Sequence, residues 1–232
     1  MPTQPNLTIV FALYPGVTHL DFTGPHQFLS RLPGVRVIAA SAAGQPIEAD
    51  HLTFANLARL DAIEACDVIC VPGGFGCTDA MNDEAFMREV RRLAEGATYV
   101  TSVCTGSLIL GAAGLLKGRR AACHWAWRQL LPMFGAIPDE GRVVRDGNII
   151  TGGGVTAGID FALTLAAEIA GPQVAQSIQL GLEYAPAPPF NAGRPETAPP
   201  EVLEGFKARM AGLLWERQAA VERAAARLMA GA

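Results

Sequence analysis

Short apolar runs alternate with amphipathic stretches along most of this chain. Leu7-Thr-Ile-Val-Phe-Ala-Leu-Tyr14, Val35–Ser41, Asp67-Val-Ile-Cys-Val71 and the run leading from Tyr99 to Val103 read as buried strands. They are short, rich in Val and Ile, and bounded by Gly, Pro or Asp. Continuous rather than alternating hydrophobicity marks strands covered on both faces, as in a parallel sheet. Between them the pattern changes to a helical period. Gly24-Pro25 opens a helix to about Leu32, with proline where its missing N–H costs little. Glu84–Glu95 is amphipathic, and a small-residue helix starts just after Cys104. Residues 45–58 form an irregular or antiparallel excursion.

The second half continues with a short strand at Arg119–Cys123 and a helix at Trp125–Phe134. A hairpin follows at Val143–Ile150, turning on Asp146-Gly147, and then a helix runs to about Ala170. The alternation predicts an α/β fold: a single domain with a mostly parallel sheet sandwiched by helices, flavodoxin-like in plan. Residues 1–184 make up its core. Six prolines between Ala185 and Pro200 make 185–200 an extended segment. Residues 201–232 form a C-terminal helix with Leu203, Phe206, Met210, Leu213 and Leu214 on one face, packed on the same domain or on a partner subunit.

Composition narrows the function classes. Among 232 residues, 18 Lys and Arg stand against 22 Asp and Glu, a net charge of −4. With no basic stripe, no nucleic-acid partner is expected. The N-terminal residues lack a positively charged signal region, and the longest apolar run, Leu108–Leu116, is far short of a membrane span. A cytoplasmic protein without membrane contact is expected. Five cysteines suit a reducing compartment better than a disulfide framework. No Cys-x-x-Cys pair exists and Cys123-His124 lacks partners at ligand spacing, so no metal is expected.

The chemistry centres on Cys104, where the strand ending at Val103 meets the helix starting near Gly106. Such a junction faces a cysteine with unpaired N–H groups and the positive end of a helix dipole, both of which favour thiolate. It also lifts the side chain out of the sheet toward solvent, as the serine elbow of other enzymes does. The glycine clusters Gly73-Gly74-Phe75-Gly76 and Gly152–Gly154 lie at strand ends, where α/β sheets bind ligands. Neither meets a nucleotide fingerprint. Backbone donors from Gly74 and Thr105 near the sulfur fit an oxyanion-type hole, although tight turns also need glycine. Two roles are open to Asp21: a catalytic carboxylate, or a helix N-cap. No histidine neighbours Cys104, so the local pattern favours a Cys–carboxylate pair over a Cys–His one.

Several segments together resemble the DJ-1/PfpI superfamily, a branch of the class I glutamine amidotransferase-like fold. They are Leu20-Asp-Phe-Thr-Gly-Pro25, Val71-Pro-Gly-Gly74, Val100–Ser107, Ala121–Trp125, Val143–Gly147, Thr151–Asp160 and Glu183–Gly193. The long proline-rich match points, within that superfamily, to its isocyanide-hydrating branch. The resemblance implies Cys104 as nucleophile, Asp21 as its acidic partner and Thr105 beside the sulfur, with Gly153 and Val155 lining the pocket or packing on the cysteine-bearing helix. It further implies hydration of an isocyanide to an N-substituted formamide through a thioimidate, with no cofactor, in a homodimer. Protease-like members carry histidine after the nucleophile; here Thr105 follows, which speaks against peptidase activity. Asp21 stands where many relatives have glutamate. The alternative is a ligand- or redox-sensing protein related to the sensory domain of AraC-type regulators.

Overall fold

The structure, a computed structural model, describes residues 7–230. In chain order the elements are β1 (Leu7–Leu13), α1 (Leu20–Leu29), β2 (Val35–Ser41), β3 (Ile47–Ala49), β4 (Leu52–Phe54), β5 (Ala58–Arg59), β6 (Val68–Val71), α2 (Cys77–Ala80), α3 (Glu84–Gly96), β7 (Tyr99–Val103) and α4 (Gly106–Ala112). There follow β8 (Arg120–Ala121), a 3₁₀ segment (Arg128–Phe134), β9 (Ile137–Pro138), β10 (Val143–Asp146), β11 (Ile149–Gly152), α5 (Ala157–Ala170), α6 (Pro172–Gly181) and α7 (Pro200–Ala230).

Seven strands form one sheet in the order β10-β11-β7-β6-β1-β2-β5. All neighbours run parallel except the β10–β11 hairpin. All four residues of β6 are buried, as are the last five of β1, which explains their unbroken apolar sequence. The chain winds from β1 to β2 on one side, then crosses to place β6 and β7 on the other. This reversal opens a crevice beyond the carboxyl ends of β1 and β6, the usual ligand position in such sheets.

Three elements differ from the sequence expectation. The first helix begins at Leu20, so Gly24 and Pro25 lie inside it. Tertiary contact explains the placement: a Cβ on Gly158 of α5 would sit 3.1 Å from Pro25 Cγ, and one on Gly24 would sit 3.4 Å from Ile159 Cγ1. These small residues let α1 and α5 approach closely. The Arg128–Phe134 segment winds as 3₁₀ helix, since Pro132 removes an α-helical donor. The predicted apolar face of α7 is only partly covered, with Leu213 38% exposed. What is buried is its later half, through Arg217, Ala220, Val221, Ala224 and Ala225. That half packs on α2, α4 and the 3₁₀ segment.

Helix α3 shows a charge fully provided for. Its N-cap Asp83 accepts from the N–H groups of Ala85 and Phe86. The buried Glu89 is held by Arg92 at 2.7 Å and Arg88 at 3.1 Å. Arg92 also reaches the carbonyls of Leu60, Ile63 and Glu64, tying α3 to the loop before β6.

Candidate active site

Three strand ends converge at the crevice: Asp21 comes from the segment after β1, Gly73 and Gly74 from the turn after β6, and Cys104 and Thr105 from the end of β7. Cys104 adopts φ 60°, a strained value for a residue with a side chain, and its N–H donates to Gly152 O at 3.0 Å. Gly106 makes the elbow possible, because a Cβ there would lie 2.0 Å from Val71 O. The elbow is therefore as expected, but its exposure is not. Cys104 is only 5% exposed and lies among Asp21, Cys77 and Cys123. The sulfur is enclosed rather than lifted into solvent.

Asp21 is not a helix cap. It is the second residue of α1, behind His19 at the N-cap position, and it is completely buried. Its Oδ2 accepts the Gly73 N–H at 2.9 Å. Its Oδ1 has no hydrogen-bond partner among the described residues. Burial pushes this carboxyl up to about 7, against the opposing pull of the Gly73 N–H and the Cys104 side chain; the charge of Asp50 adds to the rise. Burial likewise pushes the Cys104 thiol well above its ordinary range, and the negative charge of Asp21 pushes the same way. The Thr105 N–H works in the opposite direction. The expectation of a thiol lowered by the helix terminus is thus overturned: desolvation outweighs the backbone donor. The two side chains act on each other: the Asp21 charge raises the thiol, and the Cys104 side chain pulls Asp21 down. When Asp21 is protonated, the charge that most disfavours the thiolate disappears.

Thr105 is buried, and its hydroxyl accepts the Gly74 N–H at 2.9 Å and donates to Gly74 O at 3.2 Å. Of the two backbone donors expected at the sulfur, the Gly74 N–H is therefore spent on Thr105, while the Thr105 N–H faces Cys104. The turn tolerates only glycine. A Cβ on Gly73 would lie 2.4 Å from Thr105 N, and one on Gly74, at φ 147°, would run into Gly16 O and Thr18 N.

Gly153 and Val155 stand apart from this cluster. They line a cavity of about 450 Å³ whose walls include Cys123, His124 and the Gly193–Thr197 part of the proline-rich segment but not Cys104, Asp21 or Thr105. Cys123, whose charge bears on Cys104, is the link between the two. The Gly153 N–H donates to Arg142 O at 2.9 Å. His124 stacks on Trp125, and burial aided by the charge of Arg217 pushes it down to about 4, so its ring is neutral. No group of three or more metal-ligating side chains occurs among the described residues.

Arg217 was not foreseen. It is 4% exposed, its Nη2 lies 3.1 Å from Gly74 O and 3.3 Å from Phe75 O, and its guanidinium lies 4.1 Å from the centre of the Trp127 ring. The signal was present: Arg217 falls in helical register with Ala220, Val221 and Ala224, a charge on a face otherwise reserved for the core.

A family model described as the DJ-1/PfpI family matches residues 7–168. The chain belongs to the DJ-1/PfpI family. An isonitrile hydratase from Pseudomonas putida is 53% identical over 225 residues, covering 96% of this chain and 98% of that protein. The crystal structure of a ThiJ/PfpI family protein from Pseudomonas syringae superposes with a TM-score of 0.90 at 40% identity, covering 95% of this chain and 94% of the other. The HTH-type transcriptional regulator CdhR of Pseudomonas aeruginosa is 31% identical, but the match takes in only 52% of that regulator against 72% of this chain. The family resemblance read from the elbow and strand-end motifs is thereby established, with the mostly parallel sheet that it implied.

Proposed function

We propose that this protein is an isocyanide hydratase, a lyase that converts R–N≡C and water to the N-substituted formamide R–NH–CHO. The observation that carries the reading is the buried Cys104–Asp21 pair, with Asp21 Oδ1 left without a partner among the described residues. The near-full-length likeness to an isonitrile hydratase supplies the substrate class, isonitrile being another word for isocyanide. An isocyanide carbon accepts a soft sulfur nucleophile but needs a proton delivered to that same carbon. A carboxyl poised near 7 can give up that proton and take it back.

In the first step Asp21, as carboxylate, takes the proton of the Cys104 thiol. The sulfur then bonds to the terminal carbon while Asp21 passes that same proton to the carbon, giving the thioimidate R–N=CH–S and leaving Asp21 as carboxylate. Water then adds to the carbon. Its oxygen stays there as a hydroxyl, and one hydrogen passes through Asp21 to the nitrogen. Collapse of R–NH–CH(OH)–S breaks the carbon–sulfur bond, returns the hydroxyl proton to Asp21, and releases the formamide. Covalent catalysis divides one difficult hydration into two additions. The Thr105 N–H steadies negative charge on the sulfur in the first and last steps. Gly74 holds Thr105 in place, and Gly153 and Val155 line the space for the R group. These steps draw only on the chain's own side chains and water.

Of the expected parts 1–184, 185–200 and 201–232, the same reading assigns 7–184 to the core, 185–200 to the stiff segment over the cavity and 201–230 to the closing helix, residues 1–6 and 231–232 lying outside the described residues. It takes the working form as a cytoplasmic homodimer. The exposed Trp215, Phe190, Val202 and Leu213 support self-association, and five buried free cysteines suit a reducing compartment. Among the described residues no helix is long and apolar enough to cross a membrane. Sedimentation of the purified protein tests the dimer.

Incubation with an aryl isocyanide, followed by chromatographic detection of the formamide, tests the activity. Turnover by the wild type and its loss in Cys104→Ser is the expected result. Absence of turnover with several isocyanides, together with rapid peroxide oxidation of Cys104, would transfer the protein to the sensing class.

A further inference from the structure

A guanidinium sealed in a protein interior ordinarily has a carboxylate beside it, because taking a cation out of water costs several kcal/mol. Among the described residues Arg217 has none within ion-pair distance. Its polar contacts are the successive carbonyls of Gly74 and Phe75, at 3.1 and 3.3 Å, and its flat face rests on Trp127. Reaching two neighbouring carbonyls while stacking on an indole suits the planar fork of arginine and is beyond lysine.

The Gly74 carbonyl is a crowded acceptor. Besides Arg217 it receives the Thr105 hydroxyl at 3.2 Å and the Cys77 N–H at 3.3 Å. The same residue's N–H is bonded to Thr105 Oγ1, and the Gly73 carbonyl before it accepts the Thr18 N–H at 2.8 Å. Any rotation of the peptide carrying the Gly74 carbonyl therefore pulls on Thr105, whose own N–H faces the sulfur. It also pulls on the Gly73 N–H that holds Asp21. Arg217 is the only charged donor in this set, and it comes from α7, beyond the residues 7–168 matched by the family model.

We propose that Arg217 is a positioning residue for the reaction: it locks the Gly73–Phe75 turn, and through it the Thr105 and Asp21 contacts to Cys104. The kinetic side of this proposal rests on the isocyanide-hydratase reading, whereas its conformational side does not.

The test compares full-length wild type, Arg217→Met and Arg217→Lys. Three quantities are measured: kcat and KM on an aryl isocyanide, the thermal midpoint, and amide hydrogen exchange resolved by peptide. In Arg217→Met, kcat falls about tenfold or more while KM stays within about twofold, as expected when reacting groups are misplaced but binding is kept. Exchange accelerates at residues 73–77 and 105–106 and is unchanged in β1 and β2. Arg217→Lys keeps the charge, serves one carbonyl, and recovers part of kcat. Wild-type kcat in Arg217→Met, with faster exchange confined to α7, overturns the proposal. So does a loss that vanishes once rates are normalised to folded protein. If the wild type turns over no isocyanide, the functional reading fails and the exchange pattern alone decides the role of Arg217.

Discussion

Among the described residues two carboxylates are buried, Asp21 and Glu89, and they are treated in opposite ways. Glu89 on α3 meets two arginines; burial alone pushes it up, but the hydrogen bonds from Arg92 and Arg88 win and hold it below its ordinary range. Asp21 on α1 meets one backbone N–H and a thiol, keeps one oxygen unpartnered, and rises to about 7. On the proposed mechanism, the difference separates a charge that holds structure together from one kept ready for chemistry. A structural carboxylate is satisfied on every side and stays ionised. A carboxyl that must move protons is buried without a cation, so that its two protonation states lie close in energy at neutral pH.

The sharpest way to break this contrast is Asp21→Asn, which mimics the protonated acid but cannot transfer a proton. We expect kcat on an aryl isocyanide to fall by about 100-fold or more. Full activity in this variant would return Asp21 to a purely structural role. Next in size is Glu89→Gln, which leaves two arginines short of an acceptor. It should cost about 1–3 kcal/mol of stability in denaturant titration at pH 7, with kcat per folded molecule unchanged.

The pH dependence of these variants sharpens the comparison further, because the linkage signs are opposite. The folded Asp21 carboxyl sits at about 7 against an ordinary 3.8, so the folded state binds more protons between those values. Its contribution is fully present below pH 4 and is lost as pH rises through 7. Asp21→Asn should therefore raise the thermal midpoint at pH 8 and leave it unchanged at pH 4. Glu89 is displaced downward, so its contribution is present at neutral pH and lost as pH falls through its folded value. The deficit of Glu89→Gln should shrink in acid, and a deficit that grew there would refute the assignment. Smallest of all is Lys207→Ala, which removes the exposed pair with Glu204. Stability should change by less than about 0.5 kcal/mol.

The sequence was most legible where one local rule decides the outcome. Val68-Ile-Cys-Val71 between Asp67 and Pro72 reads as a buried strand, and Val103-Cys104-Thr105-Gly106 as an elbow, because burial and turn chemistry act there over a few residues. The hairpin at Asp146-Gly147 was legible for the same reason. Long-range packing hid the rest. Gly24-Pro25 carries a helix-start signal that the α1–α5 contact overrides. The helix at Pro172–Gly181 buries only Ala175 and Ile178, too weak an apolar stripe to announce it. At the candidate site, the structure brings together Cys104, Asp21 and Thr105, which could be named from motifs as candidates. Their protonation could not, since the enclosure that reverses the expected thiol shift is assembled from residues far apart in the chain. Nothing local marked the spending of the Gly74 N–H on Thr105.

The contact between Arg217 and Gly74 joins residues 143 positions apart. The elbow, by contrast, is set by β6, β7 and the start of α4, all close in sequence. Loop closure of that span is slow and entropically costly, so the two parts of the pocket need not form together. During synthesis the thiol and its strained turn emerge first, and α7 follows only after the rest of the sheet has been made. A chain interrupted before Arg217 would carry Cys104, the proposed nucleophile, without the Arg217 contact to the turn beside it. The Arg217 contact to the Gly74–Phe75 turn can thus form only once α7 has been delivered.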